Sequence, residues 1–361
     1  MSSRPLEGIR ILSLAEQYPG PYATLLLADL GAEVILVERP DGGDPARAFP
    51  AFHAAFARGK RSIVVDLKTP EGRAALESLL AESDVLVEGF RPGTMERLGF
   101  GPRAVRAAHP RLIYVSISGF GQTGPYRDRP AHDLSYQGVA GLLSRRISHE
   151  LAGAVGDLAL GDLSAGLFTA LAICAALVRR SFSRNGTTVD VSMTDGLVSL
   201  MTSVLGPCMN GHSTFDVMAE PAYGVFDCAD GARLSLSIAH EDKFWMSLCD
   251  LLGIEDCRLL TRAERIAKSL NLRRRIASAL LRRSRDEWGQ ALDRAGIPWG
   301  PVNAIDDVLS DPHLRARGLF VSVGSGRQPL RAVAHPLVFD GERPLAEGGA
   351  PLLGEANNTY L

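Results

Sequence analysis

Three side chains in the middle of this 361-residue sequence have the types and spacing to act on one substrate atom. His132 stands beside Asp133 in Ala131-His132-Asp133-Leu134-Ser135-Tyr136-Gln137-Gly138, after the turn-rich run Gly119-Phe120-Gly121-Gln122-Thr123-Gly124-Pro125. Asp162 follows in Gly161-Asp162-Leu163-Ser164-Ala165-Gly166, just ahead of a long apolar segment. An imidazole and a carboxylate that meet in a fold form an acid/base pair, because burial or a partner can tune both toward neutrality. Each also has a plainer role open to it. Asp162 could cap the helix that follows, and Asp133 suits an orienting or capping role better than that of a base.

The elements that must position these residues read as alternating strands and helices. Ile9 to Leu14 is a short apolar strand, Pro21 to Leu30 a helix with proline in its first turn, and Ala32 to Val37 a second strand. Strands at 62–66, 85–88 and 112–116 follow, with helices at 70–81 and 93–98 between them. This is the pattern of an α/β domain built on a parallel, Rossmann-like sheet. The first strand-to-helix turn, Ala15-Glu16-Gln17-Tyr18-Pro19-Gly20, lacks the glycines that let a backbone approach a pyrophosphate, which disfavours a nicotinamide dehydrogenase. Arginines instead mark the strand ends: Arg39 after the second strand, Arg58 ahead of the third, and Arg91 and Arg97 after the fourth. Guanidinium groups at a sheet edge suit phosphate oxygens and the face of an adenine ring, so an adenine nucleotide with extra phosphate is the ligand they suggest.

Helices are expected at 134–143 and 163–178, then a strand at 188–192 and a helix at 195–202. A large domain over 1–205 and a linker over 206–221 follow from the lapse in periodicity around Asn210 to Phe215. The texture then changes. Tyr223 to Asp227 and Arg233 to Ile238 form a hairpin, followed by helices at 242–252, 263–283 and 285–295. We read 222–329 as a smaller α+β domain, and 330–361 as a tail that packs back on the first domain.

Hydrophobic content of 46% with 22% charged residues is ordinary for a soluble globular chain, and a formal charge of −2 leaves no broad footprint for nucleic acid or an anionic membrane. The five cysteines, Cys174, Cys208, Cys228, Cys249 and Cys257, are scattered without zinc or redox spacing, which fits a reducing compartment. No apolar signal core follows Met1, so a cytoplasmic location is expected. Leu163 to Val178 reads as a buried helix, too short to span a membrane.

At this point the sequence resembles the family III CoA-transferases (the CaiB/BaiF family), which include the 2-methylacyl-CoA racemases. The likeness is carried in order by 19–34, Arg58-Gly59-Lys60-Arg61-Ser62-Ile63, Glu88 through Gly99, Ser118 through Pro125, Asp190 through Gly196, Ile297 through Val302 and Pro351-Leu352-Leu353-Gly354-Glu355. It covers nearly the whole chain. The resemblance implies a two-domain subunit in an interlocked homodimer, a CoA thioester as substrate, no metal and no tightly bound cofactor. It places CoA against Arg39, Arg58, Glu88, Arg91, Arg97, Gly119, Gly121 and Tyr136.

It also implies one of two chemistries at Asp162. In the transferases this carboxylate attacks the thioester and passes through an acyl anhydride and an aspartyl-CoA thioester. In the racemases it shares α-proton transfer with a histidine. The racemase motif Gly-His-Asp-Ile-Asn-Tyr reads Ala131-His132-Asp133-Leu134-Ser135-Tyr136 here, keeping His, Asp and Tyr. Glu241 in Ala239-His240-Glu241-Asp242-Lys243-Phe244-Trp245 matches the racemase glutamate expected to orient the histidine. We therefore expect a racemase or epimerase of 2-substituted acyl-CoA, while Ala131 and Ser135 keep CoA transfer open as the alternative.

Overall fold

Runs of branched aliphatic residues, each too short to be a helix, alternate with helices that begin at proline. The strands are β1 (Arg10–Ser13), β2 (Glu33–Glu38), β3 (Arg61–Val64), β4 (Val85–Glu88), β5 (Ile113–Ser118) and β6 (Thr188–Ser192). A computed structural model describes residues 4–148, 158–213, 217–324 and 329–361. The six strands pair in parallel in the order β3-β2-β1-β4-β5-β6. The order reverses between β1 and β4, and a ligand crevice forms outside the carboxyl ends of strands at such a point.

The helices of this unit are α1 (Pro19–Asp29), α2 (Pro50–Ala57), α3 (Pro70–Ala81), α4 (Thr94–Leu98), α5 (Pro102–Ala108), α6 (Asp133–Val139), α7 (Leu142–Ser148), α8 (Leu160–Ser183) and α9 (Met193–Leu200). Proline fills the first turn of α1, α2, α3 and α5, where its missing N–H has no helical partner to lose. The helix expected at 134–143 is instead α6 and α7, broken where Gly141 takes φ +85°. The apolar segment expected at 163–178 is longer, forming the 24 residues of α8. One face of α8 is buried through Gly161, Ala165, Gly166 and Ile173, but Leu171 and Phe182 stand 64% and 84% exposed, so the expectation of a buried helix holds for one face only. By length and composition α8 could cross a membrane.

Contacts divide the chain into one unit of Met1–Thr202 with Ala316–Leu361, and another of Ser203–Arg315. Part of the expected linker is helical: α10 (Thr202–Met209) continues through Pro207. The second unit holds an antiparallel sheet of β7 (Tyr223–Asp227), β8 (Arg233–Ser237) and β9 (Trp299–Pro301). Around it lie α11 (Asp242–Leu252), α12 (Arg262–Ala267), α13 (Ser269–Leu280) and α14 (Arg285–Ala295). The single helix expected at 263–283 is split at Lys268 into α12 and α13. The buried indoles of Trp245 and Trp288 each donate to a carbonyl, of Cys257 at 2.9 Å and Leu280 at 2.8 Å, so this core holds no unpaired ring N–H.

The first unit resumes at Ala316, earlier than the boundary at 330 read from sequence. The reason is that β10 (Phe320–Val323) pairs antiparallel with β11 (Leu330–Val333), and Ala334 N–H donates to the Leu319 carbonyl at 2.9 Å.

Candidate active site

The loop after β1 is held by two buried anchors. The Gln17 N–H donates to both carboxylate oxygens of Asp44, at 3.1 and 3.0 Å, and Gln17 takes φ +64°. A left-handed conformation in a non-glycine residue carries a backbone cost of about 1 kcal/mol or more, which the Asp44 bonds help to offset. Lys60, fully buried, donates to the Pro21 carbonyl at 2.8 Å and to Thr24 Oγ1 at 2.7 Å, fixing the first turn of α1.

Above this loop, at the carboxyl edge of the sheet, two adjoining cavities open. The outer one, about 810 Å³, is lined by Arg91 and Arg97, by Arg127 and Arg129, and by Gly119 and Phe120. The inner one, about 210 Å³, holds Asp162, Glu16 and Tyr18. Gln17, Phe90, His132, Tyr136 and Met193 line both.

His132 and Asp162 reach the inner cavity from different helix starts. His132 is the extended residue before α6, at φ −128° and ψ 176°, and its side chain makes no capping bond. Asp133 does the capping, and for another helix. Its Oδ1 accepts from the N–H groups of Gly161 at 2.6 Å and Asp162 at 3.2 Å, and its other oxygen accepts from the Gln137 amide. A carboxylate at these otherwise orphaned donors is the favoured arrangement at a helix start. Asp162, in the first turn of α8, is thereby released from capping. Burial, with the Asp133 carboxylate second, pushes its carboxyl up to about 7. Such a group exists in both protonation states near neutrality, as a proton-transfer catalyst requires.

Tyr136 donates its hydroxyl to the Ala131 carbonyl at 2.8 Å and packs edge-on against Phe120. Burial, then Asp162 and Asp133, push its phenol up to about 12, so it stays protonated. Its ring covers Gly119, where a side chain would collide with it.

Four of the residues expected to contact CoA are not among those lining these two cavities. The Arg58 guanidinium makes a bidentate pair with Asp29 at 2.6 and 2.7 Å, and both side chains are 1% exposed. It precedes β3, at the amino edge of the sheet, opposite the edge at which the crevice opens. Glu88 is buried at the end of β4, accepts from the Phe90 N–H at 2.9 Å, and has its carboxyl raised by burial to about 7. It shapes the β4–α4 turn and lines neither cavity. Arg39 does leave the carboxyl end of β2, but its Nε donates to the Gly43 carbonyl at 2.9 Å and it lies outside both linings. Gly121 forms a turn at φ +85° beside Asp190 and likewise lines neither cavity. Arg91, Arg97, Gly119 and Tyr136 do line the outer cavity. Glu241 belongs to the second unit, at the start of α11, where it accepts from the Ala239 N–H at 3.0 Å. Backbone donors at that helix start hold its carboxyl below the usual value.

Sequence reasoning passed over Glu16, Gln17, Arg127 and Arg129. The two arginines had a signal, since Tyr126-Arg127-Asp128-Arg129-Pro130 is a basic stretch just ahead of the His132 motif. Among the described residues, no group of three or more His, Cys, Asp and Glu side chains is arranged to hold a metal ion.

A parallel α/β unit with arginines at the mouth of a crevice and titratable acids within it suits an anionic ligand at the sheet switch point. The chain belongs to CoA-transferase family III, whose family model matches residues 6–357. It is 33% identical to a succinate–glutarate CoA-transferase of Agrobacterium fabrum, over 97% of this chain and 93% of that protein. It is also 32% identical to the human alpha-methylacyl-CoA racemase, over 99% and 92%. The crystal structure of Rv3272 from Mycobacterium tuberculosis superposes with a TM-score of 0.88 at 31% identity, covering 99% of both chains. Enzymes of this family act as CoA-transferases or as an acyl-CoA racemase, and relatives of this chain include both kinds.

Proposed function

We propose that the protein is a racemase or epimerase that inverts the α-carbon of a 2-methylacyl-CoA, or another 2-substituted acyl-CoA, by two-base proton transfer. The observation that carries this reading is that His132 and Asp162 line one small cavity from separate helix starts. Inversion needs one group to take the α-proton and a second to return a proton to the opposite face. A carboxyl tuned to about 7 and an imidazole are suited to share that work. The nucleotide part of the substrate then lies along the arginines of the outer cavity, with its thioester at Asp162. The N–H groups of Gly161 and Asp162 are occupied by Asp133, so donors to the enolate oxygen come from other groups.

The test is incubation with a 2-methylacyl-CoA in deuterated water. Wild-type protein is expected to take up α-deuterium, and His132→Ala and Asp162→Ala to lose exchange by at least about 100-fold. Absence of exchange across a panel of 2-substituted thioesters would sink the reading. The second reading is CoA transfer, favoured by a carboxylate in the inner cavity and by the relatives named as transferases. It predicts an acyl-enzyme at Asp162 that hydroxylamine traps, and that His132→Ala still forms.

We further infer that two copies associate through the exposed side of α8, where Leu167, Leu171, Val178 and Phe182 stand in solvent. Light scattering at micromolar concentration checks this, and a monomer would refute it. All five cysteines are free, in keeping with the reducing cytoplasm we assign to the protein.

A further inference from the structure

We propose that the inner cavity selects an uncharged, apolar acyl group, and that Glu16 is the side chain that turns away acyl groups ending in a carboxylate. This deepens the function proposed above and rests on it for the direction in which the thioester lies.

The arginines belong to one cavity only, where Asp128 pairs with Arg127 at 3.0 Å. Arg91, Arg97, Arg127 and Arg129 all line the outer cavity and none of them lines the inner one. Asp162 lines only the inner one. A thioester whose phosphates meet the arginines and whose carbonyl meets Asp162 has its acyl group in the inner cavity. The acids there are Glu16 and Asp162, and the lone basic side chain is His132, which the proposed reaction engages at the α-carbon.

The cation paired with Glu16 is not part of the cavity wall. Arg39 stands 3.9 Å from the Glu16 carboxylate, outside the cavity lining, with its Nε given to the Gly43 carbonyl. A second carboxylate brought in on an acyl chain would lose its water, meet Glu16 and Asp162, and find no lysine or arginine among the residues that line the cavity. Discrimination of this kind works by leaving the wrong ligand's charge unpaired. Burial already drives the Glu16 carboxyl above its ordinary range, with Asp44 and Glu38 adding to the effect against the opposing pull of Arg39. The environment therefore resists one more negative charge.

The remaining side chains include Leu14, Phe90, Ile117, Met193 and the rings of Tyr18 and Tyr136, with the neutral amide of Gln17 among them. Tyr18 is backed by Phe52 and Phe56, with ring centroids at 4.9 and 5.3 Å, which stiffens that side against an alkyl or aromatic group. At about 210 Å³ the space falls below the range of roughly 300–1,000 Å³ that takes a whole drug-sized ligand. It suits a short or branched acyl head.

The experiment is calorimetric titration of the full chain with propionyl-CoA, 2-methylbutyryl-CoA, succinyl-CoA, glutaryl-CoA and free CoA, for wild type, Glu16→Gln and Glu16→Ala. The expected result is that wild type binds the two apolar thioesters at least about tenfold more tightly than the two dicarboxylic ones. Glu16→Gln and Glu16→Ala should shrink that ratio at least about threefold, read against free CoA as the control for an intact fold. Equal affinity of wild type for succinyl-CoA and propionyl-CoA overturns the proposal. So does a ratio that neither substitution changes. Selective binding without any α-deuterium uptake overturns the racemase reading and leaves this inference standing. Failure to bind CoA or any thioester overturns both.

Discussion

Asp133 and Asp162 divide between them what a single acid at a helix start would otherwise combine. Asp133 accepts the helix donors and so raises its neighbour, while Asp162 keeps a carboxyl that burial holds near neutrality. Asp133→Asn should therefore weaken the cap, costing about 1 kcal/mol, and also remove a charge that raises Asp162. The ionisation of Asp162 in the pH–rate profile should move to lower pH, a shift that a general loss of stability would not produce. Asp162 itself carries a stability signature. Its folded value lies above the ordinary 3.8, so the stability it contributes is fully present below that pH and is lost as pH rises through about 7. Asp162→Asn should accordingly be more stable than wild type above pH 7, by on the order of 1–3 kcal/mol, with the gain vanishing toward pH 4. Denaturant melts at several pH values check this, and a pH-independent difference would refute it. His132 and Asp162 could be picked out from residue type and motif because chemistry restricts which side chains serve. Glu16 and Gln17 could not, because a loop without the fingerprint glycines carries no local mark of a ligand turn. The structure turns that loop with Gln17 itself at φ +64°, held by an aspartate 27 residues away.

The alternation of β-branched runs with proline-started helices was enough to read the parallel sheet and most of its helices. Strand order was not readable, because the switch between β1 and β4 comes from pairing over long separations that no local pattern encodes. The same cause hid the value of strand ends. Arg58 stands before β3 and Arg91 after β4, and only the latter edge carries the crevice. Short helices were lost as well: α2 and α5 have eight and seven residues, too few for a periodic pattern to show. Where α8 crosses α1, the contact is backbone-close. A methyl group on Gly166 would lie 2.9 Å from both the Pro19 carbonyl and the Tyr22 ring. Gly166→Ala should destabilise the protein by about 1–3 kcal/mol and disturb the start of α1, beside the inner cavity. The paired measurement is a urea midpoint with the KM for the thioester, and both should change.

Across the molecule, the first unit is assembled from two separated stretches of chain. The Asp29–Arg58 pair joins them: Arg58 also donates to the Val333 carbonyl at 3.2 Å, and Asp29 accepts from the Ala346 N–H at 2.9 Å. Farther along, the Ser62 hydroxyl accepts from Gly354 N–H at 3.0 Å, and Asn357 Oδ1 accepts from Val64 N–H at 2.9 Å. Removing one partner of a buried pair strands the other's charge. Arg58→Ala should therefore cost about 3–5 kcal/mol, whereas the joint change Arg58→Met with Asp29→Leu should cost much less. CoA affinity of the folded fraction should stay at the wild-type value in both, since Arg58 touches neither cavity. A large loss of affinity at unchanged stability would restore Arg58 to the ligand.

The join also sets an order of events during synthesis. The carbonyl that completes the Arg58 site lies 275 residues further along the chain. A ribosome adding roughly 5–20 residues per second takes on the order of tens of seconds to deliver it. Through that interval Asp29 and Arg58 have each other but lack their later partners, and the edge at β3 is without the segment that ends at Leu361. The second unit, encoded wholly within 203–315, emerges complete before the first can close. Closure of the first unit by its 316–361 segment is thus the last step that synthesis makes possible.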